Sequence, residues 1–228
     1  MSHFSPHLKI LPPPQMRLWN ELSAVPCEFV LYGGTALALH LGHRSSVDFD
    51  FFGSRSLDLY QIEQGISFLK GANIIQREKN TLSAIVDRDG PVKVSFFGVP
   101  KLPRLSAAVV AEDNGLRVAS LLDLAGTKAS VVQMRAEAKD YIDIDALLTA
   151  SNVDLPLALS AAQQLYGSTF NPQITLKALS FFDDGDLPLL SEEMKLRLAT
   201  AAREVDLDHL PSIDKFTSQV DQDPGYEL

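Results

Sequence analysis

The sequence predicts an α/β (α+β) fold, with a small mixed sheet inside residues 1–150 and a helical C-terminal region over 151–211. Three observations predict it. Short apolar or alternating segments recur in the first half, namely FVLY (29–32), VDFDFF (47–52), IIQRE (74–78), TLSAIV (81–86) and VKVSFF (92–97). Stretches of helical periodicity separate some of them. From residue 154 onward only helical patterns remain, so a boundary near 150 is expected.

The elements follow in order. Residues 1–15 read as an extended arm, because Pro12-Pro13-Pro14 does not suit a helix interior. A short helix is expected around Gln15–Val25. FVLY is a buried strand stopped by Gly33-Gly34, and TALALHLG (35–42) is a helix opening at Thr35. VDFDFF alternates as a strand does. LDLYQIEQGISFLKGA (57–72) is an amphipathic helix with Leu59, Ile62, Ile66 and Leu69 at helical spacing. Three strands then form a meander, the last two joined through Asp89-Gly90 in a hairpin turn. LRVAS (116–120) leads into a long helix through LLDLAGTKASVVQMR, with Ser120 and Asp123 as its capping pair. KDYIDIDALLTA follows as a second helix. Three more are expected in LPLALSAAQQLYG, NPQITLKALSFF and SEEMKLRLATAAREV, capped at Asn152 or Asp154 and at Ser191. Residues 212–228 read as a weakly ordered tail. No fixed-period repeat is present.

Composition narrows the class. The chain has 228 residues, 46% of them hydrophobic and 21% charged, which is enough to bury a core. No stretch is long and apolar enough to span a bilayer, and the N-terminus lacks the basic start and apolar run of a secretory signal. The single cysteine, Cys27, forms no internal disulfide. A cytoplasmic protein without a membrane partner is expected. The net charge of −9 disfavours a broad nucleic-acid coat, while leaving room for a local basic groove.

The chemistry concentrates in residues 29–53. A strand ends in two glycines and a helix begins at once. Glycine lets the backbone approach a ligand closely. The helix start offers unpaired N–H groups and a positive dipole end, an anion site to which the Thr35 hydroxyl can add. About fourteen residues on, Asp48 and Asp50 stand two apart on a strand, hence on one face and roughly 6–7 Å apart. Two adjacent carboxylates repel unless a cation joins them. Mg²⁺ or Mn²⁺ suits such a pair, since it takes carboxylate and phosphate oxygens and keeps waters. Each half of this pattern is common by itself as a plain turn or a solvent-facing acid pair; together and in order they point to phosphoryl transfer. Arg44 either contacts phosphate or pairs with an acid to hold its loop. His43 and His40 are expected in structural roles. Lys128 and Arg135, seven residues apart on the long helix, form a basic stripe with Lys139 that either binds phosphate or is laced into ion pairs with Asp140 or Asp143.

The stretch GGTALALHLGHRSSVDFDFF resembles the first motif of the AbiEii/AbiGii family of toxin nucleotidyltransferases, within the polymerase-β-like superfamily. The matching positions are Gly33, Gly34, Thr35, Ala36, Leu37, His43, Arg44, Ser46, Asp48 and Asp50. Lys128, Arg135, Lys139, Asp140 and Asp143 resemble the family's later Lys…Arg…Lys-Asp-x-x-Asp pattern. The resemblance implies a nucleotidyltransferase domain over 1–150 that uses an NTP with Mg²⁺ or Mn²⁺. It implies Asp48, Asp50 and Lys128 in catalysis, with Asp48 and Asp50 as metal ligands. It implies a nucleotide site drawn from Gly33, Gly34, Thr35, Arg44, Ser46, Lys93, Ser95, Arg135, Lys139 and Asp140. An RNA, tRNA or protein acceptor and an antitoxin partner are implied as well.

One departure stands out. The superfamily supplies a third carboxylate from a neighbouring strand, where this family usually has Lys-x-Asp. Here VKVSFF places Ser95 there, a neutral hydroxyl that is a poor Mg²⁺ ligand and no base at neutral pH. Either another acid (Asp87, Glu112 or Asp140) takes its place, or turnover is weak, or the chain binds nucleotide or a partner without transfer.

Overall fold

The computed structural model describes residues 2–100 and 102–213. Its centre is one eight-stranded mixed sheet, ordered β1-β7-β8-β2-β3-β6-β5-β4. The strands are β1 (His3–Phe4), β2 (Phe29–Tyr32), β3 (Phe49–Gly53), β4 (Asn73–Glu78), β5 (Thr81–Asp87), β6 (Pro91–Gly98), β7 (Val109–Ala111) and β8 (Arg117–Val118). β2 and β3 run antiparallel, with Tyr32 opposite Asp50; β3 and β6 run parallel, with Asp50 opposite Ser95. β4, β5 and β6 form the expected antiparallel meander. Its hairpin tip turns through Asp89 (φ 55°) and Gly90 (φ 146°), with the Asp87 carboxylate accepting from Gly90 N–H at 3.0 Å.

Among the described residues eight α-helices accompany the sheet: α1 (Pro13–Trp19), α2 (Gly33–Leu41), α3 (Leu59–Gly65), α4 (Leu121–Val131), α5 (Ala138–Ala150), α6 (Leu155–Tyr166), α7 (Pro172–Ala178) and α8 (Glu192–Glu204). The caps are polar side chains that satisfy orphan N–H groups: Asp58 for α3, Ser120 for α4, Asp154 for α6, Asn171 for α7 and Ser191 for α8. One face of the sheet carries Phe49, Phe51, Val94, Phe96, Leu82 and Ala84, all buried. Trp19 of α1 lies against Phe49 there, centroids 6.4 Å apart. The other face carries Asp50, Ser95 and Ser83 in one row, so alternation separates core from chemistry. α6 packs against α4, and both contribute to the same continuous buried cluster as the sheet.

Several elements differ from their expectation. The N-terminal arm is not extended throughout. His3 and Phe4 pair parallel with β7, residues 8–10 form a 3-10 turn, and Pro13-Pro14 open α1. Proline at the first turn gives up only an N–H that has no helical partner anyway. α1 stops at Trp19, short of Val25. α2 starts at Gly33, two residues early, so both glycines belong to its first turn. β3 begins at Phe49, leaving Asp48 just ahead of it. The 57–72 helix breaks at Ile66, which is extended (φ −94°, ψ 114°), before a 3-10 turn at Ser67–Leu69. α4 ends at Val131, so Arg135 lies in the turn before α5, not on a continuous helix. β1 and β7 were too short to stand out in the sequence. Of the expected tail over 212–228, residues 214–228 lie outside the described residues.

Candidate active site

The site begins where β2 becomes α2. All four β2 residues are buried, and the chain turns at Tyr32, whose side chain makes no capping hydrogen bond. The first N–H groups of α2 therefore have no side-chain acceptor, which is the local requirement for an anion cradle. Gly33 sits at φ +79°, and a Cβ there would stand 3.3 Å from Asp50 Oδ2. The Asp50 carboxylate is thus directly against the glycine turn. Gly34 is held open by something else. A Cβ at that position would collide with Arg44 Nη2 at 2.2 Å and stand 3.5 Å from Asp143 Oδ2.

Asp48 and Asp50 are half-buried at the near end of β3. Burial raises the Asp50 pKa, and the neighbouring Asp48 charge raises it further. Lys93, the Ser95 hydroxyl and Lys128 pull the other way without cancelling the effect. Lys93 is exposed, one residue before Val94, which pairs with Phe49; this puts Lys93 beside Asp48. Ser95 is completely buried, and the Ser83 hydroxyl donates to its Oγ at 3.2 Å. The row Asp50–Ser95–Ser83 thus replaces a third carboxylate with two linked hydroxyls.

None of the three candidate substitutes reaches this row. Asp87 is engaged at the hairpin tip, Glu112 is exposed just after β7, and Asp140 is fully buried in another cluster. Among the described residues, no group of three or more His, Cys, Asp or Glu side chains is gathered to hold a metal alone. Two acids facing an open anion cradle suit a hard cation that completes its shell with phosphate oxygens and water. They do not suit an ion caged by protein alone.

Beside the site lies a second charged cluster. Lys128 Nζ donates to Asp140 Oδ1 at 2.7 Å and meets Asp143 Oδ2 at 2.6 Å, with both acids fully buried. Arg135 grips Asp140 through Nε (2.8 Å) and Nη2 (3.2 Å). Arg44 grips Asp143 in the same forked way, at 2.7 and 2.9 Å, and His43 Nε2 donates to Asp143 Oδ1 at 2.7 Å. Burial alone would raise the Asp143 pKa. The His43 and Arg44 hydrogen bonds and the charges of Lys128 and Arg44 outweigh it, holding this carboxyl well below the usual carboxylate range.

The predicted residues therefore divide. The structure brings Gly33, Asp48, Asp50, Lys93 and Ser95 to one face, with Lys128 close enough to act on Asp50. Thr35 differs from its expectation as a phosphate contact. It is 2% exposed, and its hydroxyl donates to the Asp48 carbonyl and joins Ser46 Oγ at 2.7 Å. Thr35 and Ser46 thus set the loop that presents Asp48. Arg44, Arg135 and Asp140 are committed to ion pairs, the second of the two roles the sequence left open. Lys139 lies apart, paired with Glu137 at 2.7 Å and over half exposed. His40 stacks on Phe4, centroids 4.4 Å apart, and donates from Nε2 to the Ala119 carbonyl at 2.9 Å. The sequence offered Asp143 as an ion-pair partner of the basic stripe; its meeting with His43 and Arg44 was not legible.

Comparisons with known proteins bear on the family and the fold. Residues 17–219 match the family model for the nucleotidyl transferase AbiEii toxin of type IV toxin–antitoxin systems. An uncharacterized protein of Aquifex aeolicus (strain VF5) is 31% identical over 159 residues, covering 69% of this chain and 75% of that protein. Among solved structures, the fold resembles a candidate nucleotidyltransferase from H. pylori, with a TM-score of 0.53, 22% identity, and 86% and 92% of the two chains covered. It also resembles MenT4, a nucleotidyltransferase toxin of Mycobacterium tuberculosis H37Rv, with a TM-score of 0.57, 15% identity, and 84% and 82% covered.

Proposed function

We propose that this chain, which belongs to the AbiEii family of nucleotidyl transferase toxins of type IV toxin–antitoxin systems, transfers a nucleoside monophosphate from an NTP to an acceptor hydroxyl. The observation that carries the proposal is the Asp50 carboxylate set against Gly33 at an uncapped helix start, with Asp48 beside it. In this reading the first N–H groups of α2 bind the phosphate tail, and Lys93 adds positive charge at the open edge. Asp48 and Asp50 would hold Mg²⁺ or Mn²⁺, which when bound would neutralise phosphate charge. The acceptor oxygen bonds to the α-phosphorus as its proton passes to solvent, the bond from the α-phosphorus to the α–β bridging oxygen breaks, and pyrophosphate leaves. Lys128, locked by Asp140 and Asp143, supplies a fixed positive field behind Asp50. Thr35, Ser46 and Arg44 position the Asp48 loop and the helix start. An antitoxin partner follows from the family; an RNA acceptor and a cytoplasmic setting are part of this proposal. No helix of the described residues is long and apolar enough to cross a membrane.

A second reading, nucleotide binding without transfer, is favoured by one observation: the third-carboxylate position is Ser95, hydrogen-bonded to Ser83. One experiment separates the two. Purified protein is incubated with each α-labelled NTP, MgCl₂ and total RNA, with Asp48→Ala in parallel. A labelled acceptor that disappears in the variant supports transfer. Measurable NTP binding with no labelled product for any NTP supports the binder.

A further inference from the structure

The same face of the sheet carries two arginines that the proposed chemistry leaves unused. Arg117 stands on β8, level with Val30 of β2 and Phe52 of β3, so it lies two strands across from β3, roughly 10 Å at the usual strand spacing, and two residues along from Asp50. Arg104 comes from the segment between β6 and β7, with its guanidinium beside the Tyr32 hydroxyl. Tyr32 pairs directly with Asp50 across the β2–β3 ladder.

Most of the other arginines have carboxylate partners. Arg44, Arg88, Arg135 and Arg197 each grip an acid, at 2.7, 2.5, 2.8 and 2.8 Å. Among the described residues Arg104 and Arg117 form no ion pair, although both are half-buried. Arg104 Nε and Nη2 and Arg117 Nε are buried without a hydrogen-bond partner. Arg117 has one protein bond, from Nη1 to the Cys27 carbonyl at 2.6 Å. The Asp123 carboxylate, whose charge interacts with Arg104, is already engaged, accepting from the Ser120 hydroxyl at 2.5 Å and from Leu105 N–H at 2.9 Å.

This arrangement is costly as it stands. Each buried donor without an acceptor costs about 1–3 kcal/mol. Two like charges also face each other, and Arg117 is shifted down, first by burial and then by Arg104. An anion held between the guanidiniums relieves all three costs together. A phosphate fits best, because it offers several oxygens to forked donors. With no ion pair to break, either side chain can turn toward such a ligand.

We propose that Arg104 and Arg117 form a second phosphate-binding subsite on the active face, distinct from the Gly33 cradle, which receives a phosphate group of a bound nucleotide. The class of ligand rests on the nucleotidyl-transfer reading; the existence of an anion site rests on the unpartnered donors. Two sources present the same chemistry, the polyphosphate tail of an NTP and the phosphodiester backbone of a single-stranded acceptor.

Binding measurements in EDTA keep the metal site out of the test. Dissociation constants are measured for inorganic tripolyphosphate and for a short single-stranded oligouridylate, with wild type, Arg104→Ala, Arg117→Ala and Arg104→Lys, together with the melting temperature of each. The expected result is that Arg104→Ala weakens one probe about tenfold and, where that probe is the oligouridylate, flattens its dependence of log Kd on log salt by about 0.7. Loss for tripolyphosphate assigns the NTP tail; loss for the oligonucleotide assigns the acceptor strand. If Arg104→Ala does not fold, Arg104→Lys decides: several-fold weaker binding at an unchanged salt slope supports the subsite, and wild-type affinity overturns it. Wild-type affinity of a folded Arg104→Ala for both probes overturns it too, as does a wild type that binds neither. Phosphate affinity lost in Arg104→Ala, in a protein that labels no acceptor, leaves the subsite standing and removes only the transfer reading.

Discussion

Asp48 and Asp50 lie two residues apart at the start of a strand, and Asp140 and Asp143 lie three apart on a helix. Both pairs put like charges close together in partly or wholly dry surroundings, yet the molecule treats them oppositely. The helical pair is saturated, with Lys128 bridging both acids, Arg135 forked onto Asp140, and Arg44 and His43 on Asp143. In the strand pair, burial and the Asp48 charge raise Asp50, and Lys93, the Ser95 hydroxyl and Lys128 do not cancel the rise. Where charge is fully matched, the acids hold α4, α5 and the 43–48 loop together. Where it is left unmatched beside an anion cradle, the deficit is what a bound cation and its phosphates would correct.

The comparison breaks most visibly in activity. Asp48→Ala and Asp50→Ala are expected to lower acceptor labelling by about 100-fold or more, measured with the α-labelled NTP, while Asp48→Ala leaves the fold intact by circular dichroism. The next effect is on stability and falls on the other pair. Asp143→Ala strands Arg44 without a counter-charge, leaves Lys128 with Asp140 alone, and is expected to cost about 3–5 kcal/mol in urea unfolding. The pH dependence carries the sign. Asp143 is depressed in the folded state, so its contribution is fully present above the unfolded carboxylate pKa of about 4. It is lost as pH falls further toward the folded value, and wild type and Asp143→Asn should converge in acid. A gap between them that persists unchanged to pH 2 would contradict the ion-pair account.

Asp50 should behave in the reverse sense and by a smaller amount. Its folded pKa is raised, so the charged form costs stability once pH exceeds the unfolded value, and the cost is complete only above the raised folded value. Asp50→Asn is therefore expected to melt higher than wild type at pH 7 and equally at pH 3, while losing transfer. A variant that melts lower at pH 7 would mean that Asp50 is already matched inside the protein and is not held in reserve for a ligand.

Much of this was legible from residues alone, because it depends on local spacing. β2 and the β4–β6 meander follow from apolar alternation and the Asp89-Gly90 turn, and the Gly33–Asp50 approach follows from a strand, a glycine turn and a second strand close in sequence. What was not legible depends on distant partners. Whether Arg44 meets phosphate or acid is decided by Asp143, 99 residues later. Thr35 looked free at a helix start, but the 43–48 loop folds back onto its hydroxyl. Arg135 looked helical because its heptad spacing from Lys128 is right, yet α4 ends at Val131 and the arginine reaches Asp140 from a turn. β1 and β7, two and three residues long, carry no periodic signal at all.

The smallest expected effect sharpens the comparison at its margin. The family pattern places Lys139 with the nucleotide-binding positions, whereas the fold gives it an exposed partner, Glu137, away from both acid pairs. Exposed pairs of this kind contribute about 0–1 kcal/mol. Lys139→Ala is accordingly expected to change unfolding free energy by less than about 1 kcal/mol and to leave the KM for the NTP within about twofold, under 0.5 kcal/mol of binding. Lys128→Ala, one helix away, should lose both activity and stability, since it removes a cation shared by Asp140 and Asp143. If the KM of Lys139→Ala instead rose tenfold, α5 would have to present its first turn to the substrate. The saturated cluster would then belong to the nucleotide site and not to its scaffold.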